Sequence, residues 1–147
     1  MIIGIDPGAK GAIAERFVDN AGYIHDMPML GKEVNGAALA EIFEGANHIY
    51  IEQVNSFGMG RTSAFNFGQG MGVIKGVIAT MKIPYTMVTP MKWKKHFGLN
   101  RDKDASRLLA TRLFPNLADQ FKRKKDDGRA EAALIALYGE KELDGRI

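Results

Sequence analysis

The 147-residue chain contains no cysteine, one tryptophan and five prolines. Without cysteine it forms neither a disulfide framework nor a thiolate zinc site. Its apolar runs are short and interrupted by charge, which argues against a transmembrane helix and a membrane partner. The N-terminal MIIGIDPG has no basic stretch ahead of its apolar residues, so we expect no signal peptide and a cytoplasmic protein.

The overall composition is that of an ordinary globular protein. Apolar residues make up 46% of the chain and charged residues 25%, values typical of soluble folds. No internal repeat, low-complexity tract or linker interrupts the sequence. We therefore expect one domain over residues 1–147, long enough to bury a core.

Positive charge is concentrated between residues 92 and 125. This segment holds eleven Lys or Arg and three acidic residues, a net +8, so the rest of the chain carries −5. Such asymmetry favours a surface for a polyanion beside an acidic site. Solvated helix faces give the same distribution, so the charge alone leaves both interpretations open.

Five short apolar segments bounded by turn residues are predicted as strands. They cover residues 1–6, 11–19, 22–28, 48–54 and 84–90. The turn Asn20-Ala21-Gly22 predicts that the first three form an antiparallel meander.

Helical patterns separate and follow the later strands. Asn35 is a candidate cap for the first helix, and Thr62 or Ser63 for a second that runs to about Lys82. Three more helices are predicted over residues 91–97, 103–114 and 127–137. Three consecutive strands followed by alternating helices and strands predict an α/β fold with a mixed sheet flanked by helices.

Three glycines recur every four residues in the second predicted helix. Gly68, Gly72 and Gly76 therefore lie on one helical face. Each costs the helix about 1 kcal/mol relative to alanine, so the pattern predicts close approach of another backbone. That backbone is either the sheet, which we favour, or a helix of a partner subunit.

Four carboxylates are predicted to converge. Asp6 and Glu52 each end an apolar strand, and adjacent parallel strands place such residues at one edge of a sheet. Asp127 and Glu131, four residues apart, share one face of the last helix. Asp126 points elsewhere on that helix and is the second choice for the role of Asp127.

Such a cluster is typical of a metal site. Neighbouring carboxylates repel and raise one another's pKa unless a cation lies between them. Mg²⁺ prefers a few carboxylates together with water and phosphate oxygens. Two ions about 4 Å apart promote phosphodiester hydrolysis by activating water and stabilising the leaving oxygen. Taken singly, each acid is equally explained as a solvated strand end or as a partner of the helix dipole.

Several segments together carry a family resemblance. They are IIGIDPGAKGAIA (2–14), IYIEQV (49–54), SFGMGRTSAFNFGQGMG (56–72), TPMKWKKHFGL (89–99), DKDASRLLATRLFP (102–115) and DDGRAEAALIA (126–136). In this order, and over essentially the whole chain, they resemble the RuvC-like Holliday-junction resolvases of the RNase H-like (retroviral-integrase) superfamily. The likeness is closest to the short phage-type members.

The resemblance implies an RNase H-like fold. Its five-stranded mixed sheet has strands one to three antiparallel and strands four and five parallel to the first. The implied protein is a homodimeric endonuclease of DNA recombination and repair that uses Mg²⁺ or Mn²⁺, two ions per site, and no small-molecule cofactor. It nicks two opposing strands of four-way or branched DNA.

The resemblance also assigns residues. Asp6, Glu52, Asp127 and Glu131 match the catalytic metal ligands, and Lys103 matches a catalytic lysine. Bacterial members carry the last two acids three residues apart. Here Gly128 lies three before Glu131, so the pair is four apart and the choice between Asp126 and Asp127 stays open.

Basic and aromatic residues supply candidates for DNA contact. Phe57 is either a core residue or the match of a family aromatic that stacks on an unpaired base, an interaction typically worth about 1–3 kcal/mol. The phosphate-binding candidates are Arg61, Lys92, Lys94, Lys95, Arg101, Lys103, Arg107, Lys122, Arg123, Lys124 and Lys125. Trp93 either stacks on nucleic acid or anchors its helix, and His96 has no second histidine at ligand spacing.

Three other functions compete with the resolvase. Another RNase H-like nuclease would act on RNA–DNA hybrids or flaps, and a catalytically inactive protein would only bind junctions. The presence of all four acids argues against the inactive protein. An actin-like or sugar-kinase-like ATP site needs a second domain, for which 147 residues leave no room.

Overall fold

The computed structural model describes residues 1–17 and 22–147. Seven strands are present in the described residues: β1 (Ile2–Asp6), β2 (Ala12–Arg16), β3 (Gly22–Asp26), β4 (Met29–Leu30), β5 (Glu33–Val34), β6 (His48–Glu52) and β7 (Tyr85–Val88). Five of them form one sheet in the order β3-β2-β1-β6-β7, while β4 and β5 form a separate ribbon.

The strand directions confirm the predicted mixed sheet. β1 pairs with β2, and β2 with β3, in antiparallel fashion. β6 lies parallel to β1, and β7 parallel to β6. The parallel half arises because helical crossovers return the chain to the same side of the sheet before each new strand.

Within residues 1–17 and 22–147, five α-helices surround the sheet: α1 (Gly36–Phe43), α2 (Arg61–Met81), α3 (Pro90–His96), α4 (Lys103–Leu113) and α5 (Asp127–Leu143). Short 3₁₀ helices at Pro115–Phe121 and Lys124–Asp126 connect α4 to α5. Within the described residues, no helix combines the length and apolar character that a membrane span requires.

Some predicted boundaries were wrong. Neither Thr62 nor Ser63 caps α2; the helix begins earlier because Gly60 is extended and its carbonyl accepts the first helical bond, from Ala64 N. The final helix runs on to Leu143, since buried Tyr138 extends its apolar contacts. The β4–β5 ribbon was not predicted. Residues 18–21, which include most of the predicted Asn20-Ala21-Gly22 turn, lie outside the described residues.

The two faces of the sheet differ in side-chain size. One face presents isoleucines, such as Ile5, Ile13 and Ile51, to α1 and α2. The other presents Ala12 and Ala14 to the alanine-rich α5. Side chains alternate between the two faces along each strand. The sheet therefore packs against α1 and α2 through large side chains and against α5 through small ones.

Gly4 is the point of closest contact between β1 and α5. A Cβ at this position would lie 2.3 Å from the carbonyl oxygen of Ala132 and 2.4 Å from the amide nitrogen of Ala136. Only glycine fits, because the obstructing atoms belong to a helix backbone that has no rotamer to adjust. The contact fixes the height of α5 over β1.

The three glycines of α2 do not face the sheet, so the favoured prediction was wrong. A Cβ at Gly68, Gly72 or Gly76 would meet no atom within 4 Å. The buried residues of α2 are Ile74 and Ile78, which lie on the opposite side. The glycine face is exposed in the single chain.

Gly4→Ala is expected to lower the free energy of unfolding by about 1–3 kcal/mol or more, as overpacking does. The matched control is Gly36→Ala, whose Cβ would meet only the side chains of Val73 and Val77, at 3.3 and 3.5 Å. Urea unfolding of both variants checks this. Equal stability of the Gly4 variant and the native chain would contradict the close contact.

Candidate active site

Two acids lie side by side because their strands are parallel and in register. Ile5 of β1 is paired with Ile51 of β6, so Asp6 and Glu52 follow at the same edge of the sheet. Glu52 is only 5% exposed. The strand pairing alone therefore brings together two carboxylates that are far apart in sequence.

Helix α5 adds a third carboxylate from above. Glu131 lies one turn into α5 and is 6% exposed. Carboxylate oxygens of Asp6, Glu52 and Glu131 all lie within 4.8 Å of one another. We call these three residues the carboxylate cluster.

Asp127 stands at the rim of the carboxylate cluster. Its Oδ2 lies 2.8 Å from Nζ of Lys103, the first residue of α4. Its charge still raises the pKa of Asp6, so the two carboxylates are electrostatic neighbours. The lysine predicted to be catalytic thus joins the site through this acid.

Gly128 explains why the two acids of α5 are four residues apart. A Cβ at this position would lie 3.1 Å from Oδ2 of Asp6 and 2.8 Å from the carbonyl oxygen of Lys10. Any side chain there would collide with the carboxylate or the loop backbone. Position 127 is the nearest upstream place on this face where an acid fits.

Asp126, the second choice, is engaged elsewhere. Its carboxylate accepts hydrogen bonds from the backbone amide of Arg123, at 2.8 Å, and from the Arg123 guanidinium. Burial opposes ionisation, but these bonds hold the pKa of Asp126 below its ordinary value. Asp126 therefore fixes the turn before α5, and the geometry favours Asp127 as the site residue.

The carboxylate cluster is electrostatically strained. Burial raises the pKa of Asp6 well above its ordinary value, and the charges of Glu52, Glu131 and Asp127 raise it further. Burial also raises the pKa of Glu52. Carboxylates held at such distances require compensating positive charge to ionise together.

Trp93 orients Glu52. The indole is fully buried, and its Nε1 donates a hydrogen bond to Oε1 of Glu52 at 3.0 Å. This bond lowers the pKa of Glu52 against the effect of burial. Of the two roles considered for Trp93, the structure shows the helix anchor, and it adds a contact with the acid that residue spacing does not indicate.

Lys94 lies inside the site. Its Nζ is 3.1 Å from Oε1 of Glu131, and its side chain is 17% exposed. Buried Oε1 nevertheless accepts no hydrogen bond from the described residues. This oxygen is thus open to a further cationic ligand.

The residues present suit a divalent cation. They offer three converging carboxylates, raised pKa values and a buried oxygen without a hydrogen-bond donor among the described residues. An all-oxygen donor set is what Mg²⁺ and Mn²⁺ prefer. The donors of the carboxylate cluster therefore fit the predicted metal.

Comparison with solved structures gives a fold match over the full length. The Thermus thermophilus RuvC in complex with Holliday junction substrate has a TM-score of 0.68 and 16% identity, with 98% of this chain and 96% of that chain covered. The chain has the RuvC fold. A second Thermus thermophilus RuvC structure matches with a TM-score of 0.64 at 15% identity, again over 98% of this chain and 96% of that one.

One further solved structure and one curated protein are also similar to this chain. The fowlpox virus Holliday junction resolvase matches with a TM-score of 0.57 at 14% identity, over 97% of this chain and 98% of that one. The chloroplastic Holliday junction resolvase MOC1 of Chlamydomonas reinhardtii is 38% identical over 80 residues, 52% of this chain. The match spans 8% of MOC1. No protein-family model matches the chain.

Some of the predicted DNA contacts are exposed or line a cleft beside α3. Phe57 is 96% exposed on the loop after Glu52, which excludes the alternative of a core residue. Lys95 and Arg101 line an open cleft beside α3. Arg61 is exposed at the start of α2, and Lys124 and Lys125 are exposed just before α5.

Other predicted DNA contacts already have protein partners. Lys92 binds Glu142. Glu142 follows Glu131 by eleven residues on α5, which places it about 16 Å from Glu131 along the helix axis. Lys122 pairs with exposed Asp119, and Arg123 caps the turn at Asp126. Arg107, another of these candidates, donates to the carbonyls of Phe121 and Lys122 and so holds the 3₁₀ segment. His96, for which no DNA contact is predicted, packs on Tyr138.

Asp6→Asn is expected to stabilise the metal-free chain at pH 7. The pKa of Asp6 is raised in the folded state, so ionisation of Asp6 favours the unfolded state as pH rises above about 4. The effect is about 1.4 kcal/mol for each unit by which the folded-state pKa exceeds the unfolded-state pKa. Asparagine removes this cost, so the gain should be present at pH 7 and absent at pH 4. Urea unfolding in EDTA at both pH values measures it.

The matched control for this variant is Asp119→Asn. Asp119 is exposed and, within the described residues, pairs with Lys122, so its change should be small at both pH values. Added Mg²⁺ should stabilise the native chain and leave Asp6→Asn nearly unaffected. A gain in stability that does not depend on pH would contradict the raised pKa of Asp6.

Proposed function

We propose that the chain is a structure-selective endonuclease that resolves Holliday junctions or related branched DNA. The observation that carries the proposal is the carboxylate cluster at the strand ends of a RuvC fold, with a short sequence match to a junction resolvase in support. We further propose that residues 1–147 act as a single nuclease domain.

We propose that Asp6, Glu52, Asp127 and Glu131 hold two Mg²⁺ or Mn²⁺ ions. Such ions supply an activated water and stabilise the leaving oxygen in phosphodiester hydrolysis. The chain's own part is to fix the carboxylates: Trp93 orients Glu52, and the short contact at Gly4 holds Glu131 over Asp6. Preorganised charge of this kind is the main source of rate enhancement in many enzymes.

Lys94 and Lys103 are assigned to the scissile phosphate. Each ammonium already contacts an acid of the site, Glu131 and Asp127 respectively. If divalent cations neutralised these acids, the two ammonium groups would be free to contact the phosphate oxygens. A lysine placed there stabilises the negative charge that develops during hydrolysis.

We propose that the enzyme acts as a homodimer joined through α2. Symmetric cuts in two opposing strands require two sites in a fixed relation, which a two-fold dimer supplies. The α2 face of Gly68, Gly72 and Gly76 is open and carries Phe65, which is 71% exposed. Small residues on one face allow two copies of the helix to approach closely, which explains the otherwise costly glycines.

Asp6→Asn and Glu52→Gln are expected to abolish cleavage while junction binding persists. Loss of a metal ligand should cost more than about 100-fold in rate, beyond the usual effect of an outer-shell change. Binding should persist because phosphate contact rests on lysines and arginines. The measurement is a panel of four-way, three-way and linear DNA and RNA–DNA hybrid, each with Mg²⁺ and with Mn²⁺.

The panel also separates the competing functions. Preferential cutting of four-way DNA by paired nicks supports the resolvase, whereas preferential cutting of the hybrid supports another RNase H-like nuclease. Asp119→Asn serves as the control for loss of one surface charge. Cleavage that survives Glu52→Gln would overturn the assignment of the carboxylate cluster.

Gly72→Arg is expected to convert the dimer to a monomer. Arginine gains about 1 kcal/mol of helix stability over glycine on an exposed face, so the fold should be preserved while the helix contact is blocked. Sedimentation equilibrium should give twice 16.2 kDa for the native chain and 16.2 kDa for the variant.

Asn66→Arg is the matched control for the dimer. Asn66 is exposed on α2 about a third of a turn away from the glycine face, so this variant should remain dimeric. A native chain that stays monomeric at high concentration, or a Gly72→Arg variant that stays dimeric, would contradict the interface.

A further inference from the structure

Helix α3 is too short to be stable without tertiary contacts. It has seven residues, Pro90–His96, whereas isolated helices shorter than about 12 residues are marginal in water. Its position therefore depends on the residues of other elements that hold it. This position matters because α3 supplies Trp93 to Glu52 and Lys94 to Glu131.

Three consecutive side chains of α3 contact three different acids. Trp93 and Lys94 contact acids of the carboxylate cluster, and Nζ of Lys92 donates to Oε1 of Glu142 at 2.8 Å. Consecutive helical residues project about 100° apart, so the two lysines flank the indole on opposite sides. The contact between Lys92 and Glu142 therefore restricts rotation of α3 about its own axis, on which the other two contacts depend.

Glu142 joins α3 to two further elements. Its Oε2 accepts a hydrogen bond from the Tyr50 hydroxyl of β6 at 2.8 Å, and its Oε1 accepts one from the Tyr138 hydroxyl of α5 at 3.2 Å. Both tyrosines are 1% exposed. We call Glu142, Lys92, Tyr50 and Tyr138 the Glu142 network. The network joins β6, α3 and α5, and each of these elements contributes to the carboxylate cluster or contacts it.

Local preferences do not explain an acid at this position. Glu142 lies in the last turn of α5, where the helix dipole disfavours negative charge. The hydrogen bond from Lys92, with those from the two tyrosines, holds the pKa of Glu142 below its ordinary value despite burial. A single exposed ion pair contributes little, but a carboxylate that accepts from three donors has a defined geometry. Departures from a local preference are expected where a residue serves a functional site.

We propose that Glu142 is a positioning residue for cleavage, which through Lys92 holds α3 in the orientation that its contacts with the carboxylate cluster require. The proposal rests on the proposed function, because its consequence is a rate of cleavage. Glu142 lies about 16 Å from Glu131 along α5, too far to touch the reacting atoms. Without this carboxylate, α3 should stay folded on its buried indole but turn about its axis.

The sole tryptophan makes the orientation of α3 measurable. Trp93 gives one indole N–H resonance in a ¹⁵N-labelled chain, and this group donates to Glu52. Glu142→Gln keeps the size of the side chain and an accepting oxygen but removes the charge that binds Lys92. We expect the indole proton resonance to move upfield in this variant, because its hydrogen bond weakens. The spectrum is recorded without metal or DNA.

Single-turnover cleavage of a four-way junction measures the catalytic consequence. At saturating enzyme and Mg²⁺ the rate should fall about tenfold in Glu142→Gln, the lower end of the usual effect of a residue behind a metal ligand. The Kd for the junction should not rise, because removal of an acid leaves every phosphate-binding cation in place. A slower rate with undiminished binding separates positioning from DNA contact.

Glu140→Gln is the matched control. Glu140 also lies near the end of α5 and forms ion pairs, with Arg16 and Arg146, which lie outside α3. This variant should retain the native rate and the native indole resonance, even where urea unfolding shows the same loss of stability as in Glu142→Gln.

Two variants of Lys92 test the same contact from the other side. The Lys92 side chain is 58% exposed, so both variants should fold. Lys92→Met should lower the rate about tenfold, whereas Lys92→Arg, which retains the charge, should keep most of the native rate. Lys92→Met combined with Glu142→Gln should lose no more than either single variant, because each change removes the same contact.

The outcomes separate this proposal from the proposed function. A native rate in Glu142→Gln, an indole resonance that does not move, or equal rate losses in the Glu142 and Glu140 variants would overturn the positioning role and leave the endonuclease intact. A native chain that cuts no junction in Mg²⁺ or Mn²⁺ would overturn the endonuclease, and the role of Glu142 in cleavage with it.

Discussion

The structure depends on the direct contact of α5 with the sheet. Gly4 of β1 allows the helix backbone to lie where a Cβ would stand 2.3 Å from the Ala132 carbonyl. Gly139, further along α5, allows the same close approach to the ring of Tyr50, and Gly128 allows close approach to Asp6. Three contacts without side chains fix the height and the register of the helix, and this register places Glu131 over the strand ends.

The same contact creates the electrostatic cost of the site. Packing of alanines and glycines against the sheet buries Asp6 and also holds other acids close to it; burial raises the pKa of Asp6 most, and the neighbouring charges raise it further. Lys94, Lys103 and the Trp93 indole offset part of this repulsion. A divalent cation would offset the remainder, so fold stability and metal affinity are expected to be linked.

Sequence alone could predict the convergence of the acids because it follows from local rules. A carboxylate at the end of each of two parallel strands, and a pair four residues apart on a helix, need only strand direction and helical period. The wrong prediction for the α2 glycines shows the limit of such rules. Spacing places Gly68, Gly72 and Gly76 on one face, but only the packing of Ile74 and Ile78 shows which way that face points.

The roles of Trp93 and Lys94 depend on tertiary structure. Both residues lie in a basic segment that is typical of a DNA-binding surface, and nothing local shows that α3 packs its indole against Glu52. The choice between Asp126 and Asp127 likewise rests on Arg123, which caps the turn before α5. The need for glycine at Gly128 arises from contact with Asp6, 122 positions earlier in the chain.

The most direct test of the central claim is a crystal soaked in MnCl₂ and measured at the manganese absorption edge. The account predicts anomalous density between Asp6, Glu52 and Glu131, with carboxylate oxygens about 2.1 Å from the ion, as for other small octahedral cations. Asp127 and Lys103 should separate as the ion binds. Density absent from this position, with the three carboxylates turned away from one another, would contradict the account.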